Sequence, residues 1–261
     1  MTLPMVFCVD KLTKRSTIMI QHVVTHRCTK CHSVNIVKNG TDYKGKQKFH
    51  CLDCDAYGTL EPQSRSYPEF VKRFVLRAYR ERASMRGVER VFGIARQTLA
   101  RWIIEKAAVL PDLADTLETA KADDVLELDE LWSFVFRKSD KRWIWIALCR
   151  RTRQVVANFV GDRSEKSCRE LWKRIPATYK QCCSYSDFWE AYRKVFPSYT
   201  HQCVGKESGE TSHVERWNNT LRQRLARFVR KTLSFSKSDV YHEAVLKLYL
   251  HYYNTVWCPI S

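Results

Sequence analysis

At 261 residues the chain is long enough for one large domain or two modest ones, and 44% hydrophobic with 28% charged residues excludes global disorder. Lys and Arg outnumber Asp and Glu by 45 to 28, a formal charge of +17, which points to a polyanion as partner, nucleic acid first, with a merely basic surface as the alternative. No apolar run approaches the ~18 residues of a membrane helix; Lys11, Lys14 and Arg15 interrupt any export signal, so the 11 cysteines are expected in the cytoplasm as thiols or metal ligands, not disulfides.

Residues 1–26 read as an irregular extension, with translation expected from Met19 rather than Met1 or Met5. Residues 27–60 hold two C-x-x-C knuckles, Cys28/Cys31 and Cys51/Cys54, separated by 19 residues that include a hairpin turning at Gly45. Two knuckles at this spacing are the signature of a zinc ribbon: four thiolates close a tetrahedral Zn²⁺ site, and the metal supplies folding free energy that so small a core lacks. His32 and His50 are expected to be bystanders, and the remaining cysteines, Cys182 and Cys183 among them, packing residues.

Residues 65–110 carry 3.6-residue periodicity. Phe70, Phe74, Val75, Ala78 and Tyr79 predict one helix, Met85 to Phe92 a second broken by Gly93, and Leu99, Trp102, Ile103 and Ala107 the buried face of a third. Helix, glycine turn, helix within a segment of 11 basic and 4 acidic residues (Arg65–Lys106) predicts a helix-turn-helix. Its second helix would present Arg96, Gln97, Thr98 and Arg101 to base edges and phosphates of double-stranded DNA.

A linker at 111–122 precedes the third region, 123–261. Three strand-like runs, 125–136, 142–149 and 154–160, lead to a helix capped by Ser164, a short buried strand at 181–186, a helical stretch at 188–195, a polar loop at 205–209, a strong helix at 212–229 and a last one at 240–253. This order predicts an α/β fold with a mixed sheet flanked by helices.

Three carboxylates stand out. Alternation puts Glu127 and Asp129 on one face of the first strand and Glu130 on the other. Asp187 follows directly on a strand end, where α/β sheets place ligand-binding groups. Glu215 lies two helical turns before Arg222, on the same face. A buried carboxylate needs a cation. Two Mg²⁺ or Mn²⁺ ions held by such acids would stabilise the attacking and leaving oxygens of a phosphoryl displacement, with Glu127 and Glu130 as competing ligands and His201 and His213 as loop or surface histidines. Beyond Glu215 the charge is one-signed: Arg222, Arg224, Arg227, Arg230 and Lys231 precede any further acid, a pattern suited to phosphate contact.

These residues resemble transposases of the insertion sequence 1 family. The match runs from about Met19 to Tyr253 and is most specific at Glu215-Arg216, Asn218, Leu221-Arg222-Gln223, Leu225-Ala226-Arg227 and Leu233–Ser238. The resemblance implies a ribonuclease-H-like catalytic domain in which Asp129, Asp187 and Glu215 are the metal-binding triad and Arg222 the basic residue seven positions on. It implies recognition of terminal inverted repeats, cleavage that frees a 3′-hydroxyl, strand transfer into target DNA, a homo-oligomer holding two element ends, and a place on a prokaryotic nucleoid. The interval from Asp187 to Glu215 is a few residues longer than the family's, which keeps Glu207 and Glu210 open as third ligands. The rival readings are a sequence-specific DNA-binding regulator without catalysis, which leaves the C-terminal half unexplained, and a nuclease on the same fold that cuts without joining.

Overall fold

A computed structural model describes residues 23–60, 62 and 66–258. The sequence expectations for the first 22 residues, the extension and its start at Met19, lie outside them. The chain divides into two compact units between Ser66 and Tyr67.

In the first unit, β1 (Ile36–Thr41), β2 (Gln47–Cys51) and β3 (Tyr57–Thr59) form an antiparallel sheet in that order. The β1–β2 turn places Gly45 at φ 78°, open to glycine without strain. The core is small: Cys28, Cys51 and Phe49, with Ile36, Cys54, Ala56 and Leu60 packed on it. β3 is three residues long, too short to leave a periodic signal in the sequence.

The second unit opens with three helices, α1 (Glu69–Tyr79), α2 (Met85–Phe92) and α3 (Arg96–Ala108). Ser84 caps α2, its hydroxyl accepting from the Gly87 N–H at 2.9 Å, and Gly93 ends it at φ 67°. The buried face of α3 is Leu99, Trp102, Ile103 and Ala107, as periodicity predicts. On α1 only part of the expected stripe is buried: Val75 and Tyr79 face inward, while Phe70 and Phe74 stand 58% and 66% exposed. One helix of 11 residues turns too narrow a face to its neighbours to hide both sets.

Next come β4 (Val125–Phe134), β5 (Lys141–Cys149), β6 (Val155–Gly161), α4 (Glu165–Arg174), β7 (Cys183–Ser186), α5 (Glu190–Val195), β8 (His201–Cys203), α6 (Ser212–Arg224) and α7 (Asp239–Tyr252). The sheet order is β6-β5-β4-β7-β8: β4, β5 and β6 run antiparallel as a meander, and β7 and β8 continue parallel to β4. β4 is therefore central, covered on both faces. On one face Leu131, Ile144, Ile146 and Leu148 pack against Val214, Trp217 and Leu221 of α6, against α7, and share one core with Val75, Tyr79, Leu99 and Trp102 of α1 and α3. On the other, Leu126, Leu128, Trp145 and Ala147 pack against Cys168 and Leu171 of α4 and Tyr192 of α5. The helix expected to reach residue 229 stops at Arg224; Leu225 is extended, and Ala226–Phe228 is a single 3₁₀ turn.

Candidate active site and thiol cluster

The four knuckle cysteines converge. Cys28 and Cys54 bring their Sγ atoms to 3.6 Å, Cys31 and Cys51 to 3.5 Å, and all four lie within 4.8 Å of one another. Thiolates ~2.3 Å from a tetrahedral zinc sit ~3.8 Å apart, so the donor set and its spacing fit that ion. Backbone N–H groups, Cys31's first, pull the Cys28 thiol down to about 6, while the neighbouring Cys31 side chain pushes Cys54 up to about 12. His50 is engaged elsewhere, with Nε2 2.6 Å from Asp55 and its ring stacked on Tyr57. Of the remaining cysteines, Cys149, Cys168, Cys182 and Cys258 are buried, whereas Cys183 is exposed because its strand turns it outward.

Parallel pairing builds the acidic site. β4 and β7 pair Val125 with Cys183, Leu126 with Ser184 and Glu127 with Tyr185. Beyond these pairs Asp129 continues along β4 and Asp187 follows the end of β7, close enough for its charge to act on Asp129. Burial first, then the charges of Glu130 and Asp187, push the Asp129 carboxyl up to about 7, against hydrogen bonds from the Glu130 N–H at 2.8 Å and Asn218 Nδ2 at 2.7 Å. A buried carboxyl held up by neighbouring negative charge, as Asp129 is, is an electrostatic setting in which a divalent cation binds. Asp187 accepts the Trp189 N–H at 3.0 Å, which fixes its side chain at the strand end.

α6 supplies the other wall. Glu127, fully buried, accepts the His213 and Val214 N–H groups at 2.8 and 3.0 Å, together with Arg150 Nε at 2.8 Å and His213 Nδ1 at 2.6 Å. Its carboxylate thereby holds the N-terminus of α6 against β4, an anchor rather than a free ligand. Glu215 in the first turn is exposed, with the Thr211 hydroxyl at 3.3 Å, and Asn218 one turn later reaches Asp129. Among the described residues the cysteines are the group of donors within 4.8 Å of one another; Asp129, Asp187 and Glu215 do not form such a group. Donors to a pair of magnesium ions spread over up to ~8 Å, so a shared pair asks less of them than a single ion would.

The competing acids are engaged. Glu130, on the opposite face of β4, binds Arg163 and the Tyr192 hydroxyl, and burial raises its carboxyl. Arg163 in turn stacks on Trp143 and Trp189. Glu210 pairs with Arg150 at 2.7 Å, and Glu207 is exposed. His201 is 7% exposed on β8, bonded to Ser184 and Ser186, instead of lying on a loop.

The basic residues divide. Arg96, Gln97 and Arg101 are exposed at the start of α3, Arg96 beside Glu89 and Arg101 beside Glu105; Thr98 is half-buried. Arg230 and Lys231 are exposed. Arg222 donates to the Phe228 and Trp132 carbonyls at 2.6 and 3.1 Å; burial, then the charge of Arg230, lowers it to about 10, so it stays cationic near Asp129. Arg224 pairs with Glu81 and covers Trp257. Arg227 departs furthest from expectation: at 5% exposure it donates through Nε to the Tyr79 hydroxyl at 2.8 Å and through Nη1 to Ser236 at 2.7 Å, and lies over Tyr241. A guanidinium so enclosed offers no face to phosphate. Sequence reading missed the roles of Asn218, Glu127 and Arg150; only Asn218 left a signal, its one-turn spacing from Glu215.

No helix among the described residues is long and apolar enough to cross a membrane. The profile of a family described as IS1 transposase matches residues 124–255. The insertion element iso-IS1n protein InsB of Shigella dysenteriae is 37% identical over 126 residues, 48% of this chain and 93% of that protein. The insertion element IS1 protein InsB of Shigella flexneri is 37% identical over 125 residues, 48% of this chain and 92% of its own length. For the IS1 4 protein InsB of Escherichia coli K12 the figures are 35% over 125 residues, 48% and 72%.

Proposed function

Because the chain belongs to the IS1 transposase family, we propose that it binds the terminal inverted repeats of an insertion element and catalyses metal-dependent cleavage and strand transfer of their DNA. The observation that carries this reading is Asp129 on the central strand β4, bonded by Asn218 of α6 and close enough to Asp187, at the end of β7, to feel its charge, with Glu215 one turn before Asn218. The five-strand order, three antiparallel strands extended by two parallel ones, supports a ribonuclease-H-like domain.

In this reading Asp129, Asp187 and Glu215 hold Mg²⁺ or Mn²⁺, which when bound activates the attacking oxygen and stabilises the leaving one. Asp129 is oriented by the Glu130 N–H and Asn218; Glu127 and Arg150 hold α6, and with it Glu215, at the sheet. Hydrolysis of a phosphodiester frees a 3′-hydroxyl, and the same site then directs that hydroxyl at a target phosphorus, exchanging one ester bond for another. Arg230 and Lys231 contact the phosphates, with Arg222 a fixed positive charge near Asp129. α2 and α3 act as a helix-turn-helix that lays Arg96, Gln97 and Arg101 in a major groove, and the Cys28/Cys31/Cys51/Cys54 ribbon, closed by Zn²⁺, adds to recognition of the ends. Joining two ends calls for a homo-oligomer on DNA.

The test is the purified protein with Mn²⁺ or Mg²⁺, labelled element ends and a target plasmid. Expected are 3′-hydroxyl cuts and strand-transfer products, both abolished by D129N, D187N and E215Q with end binding retained. Cuts without joining would make it a nuclease, binding without either a regulator, and full cleavage by E215Q would remove Glu215 from the triad.

A further inference from the structure

Asn218 is 6% exposed, and its side chain is only half satisfied. Nδ2 donates to Asp129 Oδ2 at 2.7 Å, while Oδ1 is buried with no hydrogen-bond partner. A buried amide oxygen left without a donor is rare and asks for an explanation. Two atoms of one amide lie ~2.2 Å apart, so the orphaned oxygen is within ~5 Å of Asp129 Oδ2 and belongs to a residue one turn after Glu215 on α6. A neutral amide oxygen is a good ligand for a hard cation and adds no further charge.

We propose that Asn218 is a further oxygen ligand of the divalent cation at Asp129: its nitrogen orients the carboxylate and its Oδ1 completes the ion's coordination. The inference rests on the reading that Asp129 binds such an ion. A residue that merely positioned Asp129 would need only the donor nitrogen; a ligand needs the oxygen.

That difference is the test. Mn²⁺ is titrated calorimetrically into the full-length, zinc-loaded protein without DNA, for wild type, D129N, N218A and N218D, with near-UV circular dichroism reporting the fold. Expected are Mn²⁺ binding in wild type that D129N abolishes, a Kd at least tenfold weaker in N218A, and a Kd within threefold of wild type or tighter in N218D, which keeps an oxygen and loses the donor. N218A within twofold of wild type, or N218D as weak as N218A, overturns the assignment while leaving Asp129 as a ligand. Should N218A fail to fold, the isosteric N218D decides alone, a tenfold loss counting against. Wild-type binding that is absent or indifferent to D129N overturns the cation reading itself, and Asn218 with it.

Discussion

His201 and His242 are buried imidazoles that burial lowers to about 4, His242 also by the nearby charge of Arg227. In the unfolded chain they titrate near 6.5. Between those values the unfolded state binds protons that the folded state refuses, so each histidine's contribution lowers stability by ~1.4 kcal/mol per unit as pH drops from about 6.5 towards 4, while Asp129, raised to about 7, contributes the opposite slope over that range. Urea titrations of wild type and H201N over this range should differ in slope by ~1.4 kcal/mol per unit; an unchanged slope would mean that His201 is hydrated. Arginines offer a second contrast. R227A leaves Tyr79 and Ser236 short of a partner and should cost ~1–3 kcal/mol of stability. R230A and K231A should leave stability alone and each reduce the salt dependence of DNA binding by about one counterion. Equal effects of all three on DNA affinity, with none on stability, would return Arg227 to the surface.

Elements are held by few contacts, and α6 shows which. Glu127 accepts two backbone N–H groups at its start, and Arg150 links that carboxylate to Glu210. E127A should therefore cost ~3 kcal/mol or more, by leaving Arg150 and the helix end short of their buried partner, and should lose strand cleavage although Glu127 touches no substrate in this account. Denaturant midpoints and cleavage assays on the same preparation would check both, and an E127A enzyme that cuts normally would show that α6 finds its place without this anchor. At this scale the sequence was partly legible. α3 declares itself by periodicity, because one face meets the core, whereas β4, buried on both faces, is legible as an apolar run and not by alternation. β3 and β8, three residues each, exist because an adjacent strand offers hydrogen bonds, which no local pattern records. Arg227 sits in a basic run that reads as phosphate-seeking, and Tyr79, 148 residues away, together with Ser236 and Tyr241, turns it inward. That Asp187 comes near enough to Asp129 to act on its charge is likewise a product of the crossover that sets β7 parallel to β4.

On the scale of the whole molecule the ribbon and the remainder are separate compact units. All 8 tryptophans, from Trp102 to Trp257, belong to the second. Chelation of zinc, or C28S, should unfold the ribbon and weaken recognition of element ends, while the tryptophan-monitored melting of residues 67–258 stays where it was. A shift of that transition would show that the ribbon supports the sheet. The cysteine spacing made the first unit readable, because metal geometry is encoded locally; the second was readable as parts, not as one core. Val75 and Tyr79 of α1 and Leu99 and Trp102 of α3 are interleaved with Leu131, Ile144 and Trp217, and Arg227 is riveted to Tyr79. A chain built this way cannot be traded piecewise in evolution. Exchanging its helices for those of a relative would tear open the hydrophobic interior on which the sheet depends, so under the proposed function altered recognition of element ends has to arise by point changes on the outer side of α3, whereas the ribbon, with its own small core, is free to be shuffled.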